Sequence, residues 1–312
     1  MANSGMERTR QFLATMGLPS GDLHELPDSP QRFPDGGAWR TEIPSVEGPH
    51  ALRTVFETAD ALGVPIHRVS QGSGVMLLTD DELDEMHDLA ASRGIEVSLF
   101  VGPRAGWDTG AMAYSAAGRI VGPKIRGADQ LVQAVEDVRR ACEHGIESVL
   151  VTDEGLLEVL GEMMRQGELP ASLILKGSVM LGAANPVSVR NLERLGLTTF
   201  NVPTDLSLAQ LAALRAATTM PLDIYIEVPD DIGGFIRHYE IAEIVRVAAP
   251  VYLKFGLRNA PNIYPSGTHL EATAVALTKE RVRRAKLGLD LLHRLDPDAV
   301  MSPLPEAAIA RA

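Results

Sequence analysis

The chain has 312 residues and a formal net charge of −12, with 45% apolar and 22% charged residues, the composition of a globular protein. The acidic balance argues against a general nucleic-acid binder, whose footprint is basic. The single cysteine, Cys142, excludes a disulfide framework, a four-cysteine zinc site and an all-cysteine iron–sulfur cluster within one chain. No apolar run reaches the about 18 residues of a membrane span, and residues 1–20 lack the apolar core of a secretory signal. A cytoplasmic protein with no membrane partner is therefore expected.

Residues 1–36 are rich in Pro, Gly and Ser and read as an N-terminal arm, with a short helix over 6–16 and an irregular stretch after it. From Trp39 the pattern turns regular. Short apolar or β-branched runs begin near Trp39, Ile66, Ile95, Ser148, Ser172, Thr198, Leu222 and Pro250. Each precedes a stretch of helical periodicity, over 50–62, 79–93, 128–144, 156–165, 186–195, 207–217, 239–248 and 278–295. Eight strand–helix units of this kind predict a (β/α)8 TIM-type barrel over 37–300, followed by a tail over 301–312. A doubly wound dinucleotide-binding sheet would carry a G-x-G-x-x-G turn after its first strand, and none is present there.

The third and fourth strands begin about 53 residues apart, near Ile95 and Ser148. The excess, 102–127, follows a strand and so falls on the C-terminal rim, where barrel active sites lie. Its glycines, with Arg104, Trp107, Asp108, Tyr114, Arg119 and Lys124, suggest a lid over a substrate. A solvated insertion or a contact within a homo-oligomer is the plainer alternative.

The strand ends carry the chemistry. Glu42, Arg68, Gln71, Lys176, Asn201, Glu227 and Lys254 each end or follow an apolar run, and an ionisable side chain there is costly unless it is paired or used. Lysine is scarce, with 24 Arg against 5 Lys, so two of the five at strand ends stand out. Glu227 and Lys254 end neighbouring strands and are expected within ion-pair reach, with Tyr225 sharing the face of Glu227 and Tyr252 that of Lys254. Glu227 is then a candidate base, and Lys176 and Lys254 cationic stabilisers or imine-forming amines.

After the seventh and eighth strands stand Gly233-Gly234, Arg237, His238, Arg258 and Asn259. They suggest a cradle for an anionic substrate group, unless Asp230 and Asp231 merely pair with the two arginines. Glu42, Asp153, Glu154 and Glu227 are hard oxygen donors that a divalent metal could use; no other cofactor is indicated. Cys142 reads as a small core residue.

The stretch Asn201-Val-Pro-Thr-Asp-Leu-Ser-Leu, the strand from Pro221 to Glu227, the segment Asp230-Asp-Ile-Gly-Gly-Phe-Ile-Arg-His-Tyr-Glu and Lys254-Phe-Gly-Leu-Arg-Asn-Ala-Pro resemble the collagenase-like (U32) peptidases, short actinobacterial members in particular. The resemblance covers residues 172–267 and implies a barrel and a hydrolase activity. It transfers no catalytic residue, and the chain lacks the cysteine cluster of many members, so no iron–sulfur cluster is expected. Three functions follow. The first is a lyase-, aldolase- or isomerase-like enzyme acting on a small anionic carbonyl or hydroxy acid. The second is a peptidase or amidohydrolase, and the third a non-catalytic binding subunit.

Overall fold

The computed structural model describes residues 4–104, 115, 118 and 121–304. Eight parallel strands close a barrel in sequential order, β1 to β8, as the alternating pattern predicts. They are β1 (Trp39–Pro44), β2 (Arg68–Gln71), β3 (Glu96–Phe100) and β4 (Ser148–Val151), then β5 (Ile174–Gly177), β6 (Thr199–Asn201), β7 (Leu222–Glu227) and β8 (Val251–Phe255). The helices are α1 (Ser4–Thr15), α2 (Pro49–Leu62), α3 (Asp80–Ala91), α4 (Gly127–Glu143), α5 (Glu154–Gln166), α6 (Pro186–Arg194), α7 (Leu208–Arg215), α8 (Ile241–Ala248) and α9 (Glu271–Leu295). Side-chain caps start several of them. Thr79 with Glu82 and Ser207 with Gln210 form capping boxes for α3 and α7, and Asp153 accepts from Leu156 N at the start of α5, each satisfying amides the first turn leaves open.

Strand alternation separates two environments. Ile43, Val69, Leu175, Ile224 and Leu253 are at most 1% exposed and belong to the apolar layer between sheet and helices. Their neighbours Glu42, Arg68, Lys176, Asp223 and Lys254 point the opposite way, into the barrel, as the period of two requires. Most barrels fill that interior with branched apolar side chains; here it is charged.

The arm crosses the N-terminal face. Leu23 N donates to Ala209 O and Ser29 N to Arg246 O, and Phe33 packs edge-on against Tyr252 at 5.4 Å. Arg40 links Asp35 (2.7 Å), Tyr252 Oη (3.0 Å) and Ser302 Oγ (3.0 Å). Met301 and Ser302, assigned from sequence to the tail, pair with Trp39 and complete this closure. His67 accepts from Thr41 N at Nδ1 (3.1 Å), which leaves Nε2–H to donate to Ser302 O (3.0 Å).

Burial brings His67 down to about 4, against an ordinary value near 6.5. The folded state therefore keeps the ring neutral where the unfolded chain protonates it. Stability from this group is complete above about pH 6.5 and is lost as pH falls toward 4. Urea unfolding at about pH 7 and about pH 5 should differ by about 2 kcal/mol more in the wild type than in His67→Gln; an equal pH dependence in both proteins would contradict the assignment.

Candidate functional site

Six charged side chains alternate in sign through the barrel. Glu96, at the start of β3, lies 2.8 Å from Arg68 Nε. Arg68 Nη1 reaches Asp223 Oδ1 at 3.1 Å and Glu42 Oε2 at 3.3 Å. Lys176 Nζ bonds to Asp223 and, at 2.6 Å, to Glu42 Oε2. Lys254 Nζ closes the series 3.1 Å from Glu42 Oε1. Ser70 Oγ donates to Glu42 Oε1 at 2.7 Å and Thr199 Oγ1 to Asp223 Oδ1 at 2.8 Å. Three cations thus face three carboxylates, and the arrangement is neutral as a whole. Glu42, Asp223 and Lys176 have no exposed surface, so each charge depends on its neighbours for what water would supply.

Burial raises the Glu42 carboxyl, but Lys176, Lys254 and Arg68 together outweigh it and hold the group well below the usual carboxylate range. Burial first, then Arg68, brings Lys176 down to about 8 against the opposing pull of Asp223 and Glu42. The Tyr252 ring adds a surface for these cations, with the Arg68 guanidinium 3.5 Å from its centroid.

Above this series the C-terminal mouth holds a cavity of about 290 Å3. Lys254 is the charged side chain common to both: it lines the cavity and ends the ionic series. Its ammonium sits 4.5 Å from the centre of the Tyr225 ring, a cation–π contact. The Asn201 amide, oriented by its surroundings, offers Oδ1 to Lys254 Nζ at 3.2 Å and Nδ2 to Asp223 O at 3.1 Å. Glu42, Asn201 and the Tyr225 ring thus surround the ammonium of a residue that lines the cavity. Ser45 in the cavity wall has φ 60, an uncommon conformation outside glycine. Its hydroxyl accepts from Tyr264 Oη, and its carbonyl accepts from Arg281 at 3.1 Å.

The sequence candidates divide. Glu42, Arg68, Lys176, Asn201 and Lys254 do converge, although Lys176, Glu42 and Arg68 lie beneath the cavity floor. Gln71 lines the cavity with its amide committed to Gly74 N and O. The expected Glu227–Lys254 pair is not formed. A register shift between Tyr225 and Glu227 sets Glu227 opposite Phe255, turning it away from the interior. There its Oε1 accepts Arg258 N (3.0 Å), and its Oε2 lies 3.4 Å from Arg284 on α9 and 3.8 Å from His238.

The anion cradle expected after β7 and β8 is likewise committed elsewhere. Gly233 N and Gly234 N donate to the carbonyls of Asp230 and Pro229. Arg237 pairs with Glu240 and Thr204 O. Arg258 faces Asp230, whose carboxylate also receives Asn259 N. The four metal candidates do not meet: Glu42 holds lysines, Asp153 caps α5, Glu154 pairs with Lys124 at 2.6 Å and Glu227 faces Arg284. Among the described residues no three His, Cys, Asp or Glu side chains are gathered as metal ligands would be. Of the rim insertion, Arg104 lines the cavity and donates to Gly72 O and Ser73 O, both at 2.7 Å. Trp107, Asp108, Tyr114 and Arg119, and with them the expected lid, lie outside the described residues.

Asp223 and Glu96 escape a reading of strand ends because each stands near a strand start. The signal for Asp223 was its place two residues before Tyr225, on the inward face of a strand whose outward residues are apolar.

No family model matches the chain, and no curated protein does. Solved structures do resemble it. The U32 peptidase Mk0906 is 18% identical over 63% of this chain and 72% of its own, with a TM-score of 0.40. Thiamine phosphate pyrophosphorylase from Pyrococcus furiosus is 12% identical over 82% and 98%, at 0.45. The Rubisco-like protein from Rhodopseudomonas palustris is 14% identical over 89% and 71%, at 0.46. The likeness is one of barrel fold.

Removing the carboxylate at the centre of the ionic series should be costly, because it leaves buried cations facing one another. Glu42→Gln is expected to lower the unfolding free energy by about 3–5 kcal/mol, read from urea denaturation. A loss under about 1 kcal/mol would show that the lysines do not depend on Glu42.

Proposed function

We propose that the chain is a barrel enzyme that binds a small carbonyl- or hydroxy-acid anion in the C-terminal cavity and acts on it by proton transfer with electrostatic help from Lys254. The observation that supports this reading is the position of Lys254, a cation held from below by a buried ionic series and presented from the cavity floor. A fixed cation at the point where negative charge develops stabilises an enolate or alkoxide without reorganising at the moment of reaction. The Glu42 carboxylate and the Tyr225 ring face both complement a positive charge, so Lys254 serves as a charge stabiliser and not as the neutral amine an imine would need.

The proton-transfer role assigned from sequence to Glu227 passes to Asp231. Asp231 lines the exposed lip of the same cavity, and its carboxyl is raised by partial burial and by the adjacent charge of Asp230. A carboxyl shifted toward neutrality is the better proton carrier near neutral pH. Ser45 and Tyr264 add hydroxyls to the wall, and burial pushes the Tyr264 phenol upward, so it remains a hydrogen-bonding group and not a phenolate.

A thermal-shift and calorimetric screen of small 2-oxo and 2-hydroxy acids tests the reading. At least one acid should stabilise the wild type, and Lys254→Met should weaken it by about 10- to 100-fold, the scale of a lost charged hydrogen bond. Borohydride added with the best oxo acid should leave the mass of the protein unchanged. Binding indifferent to Lys254→Met would remove the site, and a reduced adduct on Lys254 would make it a nucleophile.

A further inference from the structure

The cavity is two-sided, and the side a ligand's carbon skeleton meets is decided by which strands face it. Strands β8, β1 and β2 are consecutive in the closed barrel. Their ends and loops give the cavity Lys254, Ser45, Ser70, Gln71 and Tyr264. Across the mouth, β3, β4 and the turn after β5 contribute Leu150, Val179, Met180 and Phe100, whose ring carries the Arg104 guanidinium on one side, 3.7 Å from its centroid. Leu150 and Phe100 are buried, whereas Met180 stands 40% exposed at the lip. A thioether side chain in such a place adapts to varied apolar shapes.

The polar wall is largely satisfied within the protein. Ser70 donates to Glu42, the Gln71 amide serves Gly74, and Tyr264 donates to Ser45. A ligand with many hydroxyls would lose its water there and find few partners, a cost that grows with each buried polar group. A phosphate would be poorly served as well. The loops after β7 and β8, where such barrels commonly hold phosphate, have their Gly233 and Gly234 amides bonded to backbone carbonyls and Arg237 bonded to Glu240. Asp230 and Asp231 stand beside them.

We infer that the cavity takes a small carboxylate carrying an apolar side chain, branched aliphatic or aromatic, with the acid end at Lys254 and the side chain on the Phe100–Leu150–Met180 wall. This rests on the anion-binding reading given above and deepens it to a substrate class. Small unbranched acids would satisfy Lys254 and leave the apolar wall uncovered. Sugar phosphates would meet Lys254 but bring hydroxyls that the apolar wall does not pair.

Calorimetric titration with pyruvate, 4-methyl-2-oxopentanoate, phenylpyruvate and glyceraldehyde 3-phosphate separates the possibilities, using wild type, Met180→Gln and Lys254→Met. The branched and aromatic oxo acids should bind about tenfold or more tightly than pyruvate, since each buries several further carbons. Met180→Gln, at a position 40% exposed, should weaken the branched and aromatic acids more than pyruvate and so narrow that advantage. Pyruvate or the sugar phosphate binding as tightly as the apolar acids, still dependent on Lys254, would overturn the substrate class and leave the anion site standing. Binding of no acid, or binding unaffected by Lys254→Met, would overturn the anion site itself.

Discussion

The interior of this barrel is held together by charge alternation. Glu96, Arg68, Asp223, Lys176, Glu42 and Lys254 follow one another from the lower end of the strands to the floor of the mouth, each touching groups of opposite sign. None could stand alone there, because an unpaired buried charge costs several kcal/mol. The constraint reaches back into the sequence: six strands must each place an apolar residue outward beside a charged one inward. It also explains the small inward residues Ser98, Ser148 and Thr199, fully or nearly buried, which leave room for long side chains to meet at the axis. A core built this way trades some stability for a fixed arrangement of charge.

That arrangement delivers one cation to the cavity and keeps the others below it. Lys176 carries the depressed amine, but it lies wholly under the floor and meets only protein groups. Lys254 is the member a ligand can touch. The loops that often bind anions in this fold are used here for architecture: Asp230, Arg258, Glu227 and Arg284 tie the β7 and β8 loops to α9. In the proposed function the anion-binding role falls instead to a strand-borne lysine, which is more rigidly placed because its position is set by the sheet.

Much of this was legible in the sequence, for physical reasons. The eightfold alternation of strand and helix is a periodicity signal, and the barrel follows from it. Glu42, Lys176 and Lys254 were visible because an ionisable residue ending an apolar run is expensive and so informative. Asp223 was not, since an acid beside Pro221 at a strand start reads as turn chemistry, and its partners on β2 and β5 are more than forty residues away in sequence. Glu227 was misplaced because pleat parity assumes an unbroken strand, and the register shift after Tyr225 reverses the face that parity assigns. The pairings of Arg237 and Arg258 with nearby acids depend on loop geometry that side-chain type alone does not encode. The two-sided cavity wall emerges only when strands distant in sequence are set opposite each other.

In the proposed function Lys254 meets the ligand while still anchored by Glu42. A crystal structure of the protein with the small acid that stabilises it most tests this directly. A carboxylate or carbonyl oxygen is expected within hydrogen-bond distance of Lys254 Nζ, with the Lys254–Glu42 contact retained beneath it. An acid seated outside the mouth, or a Lys254 swung away from both Glu42 and the ligand, would contradict it.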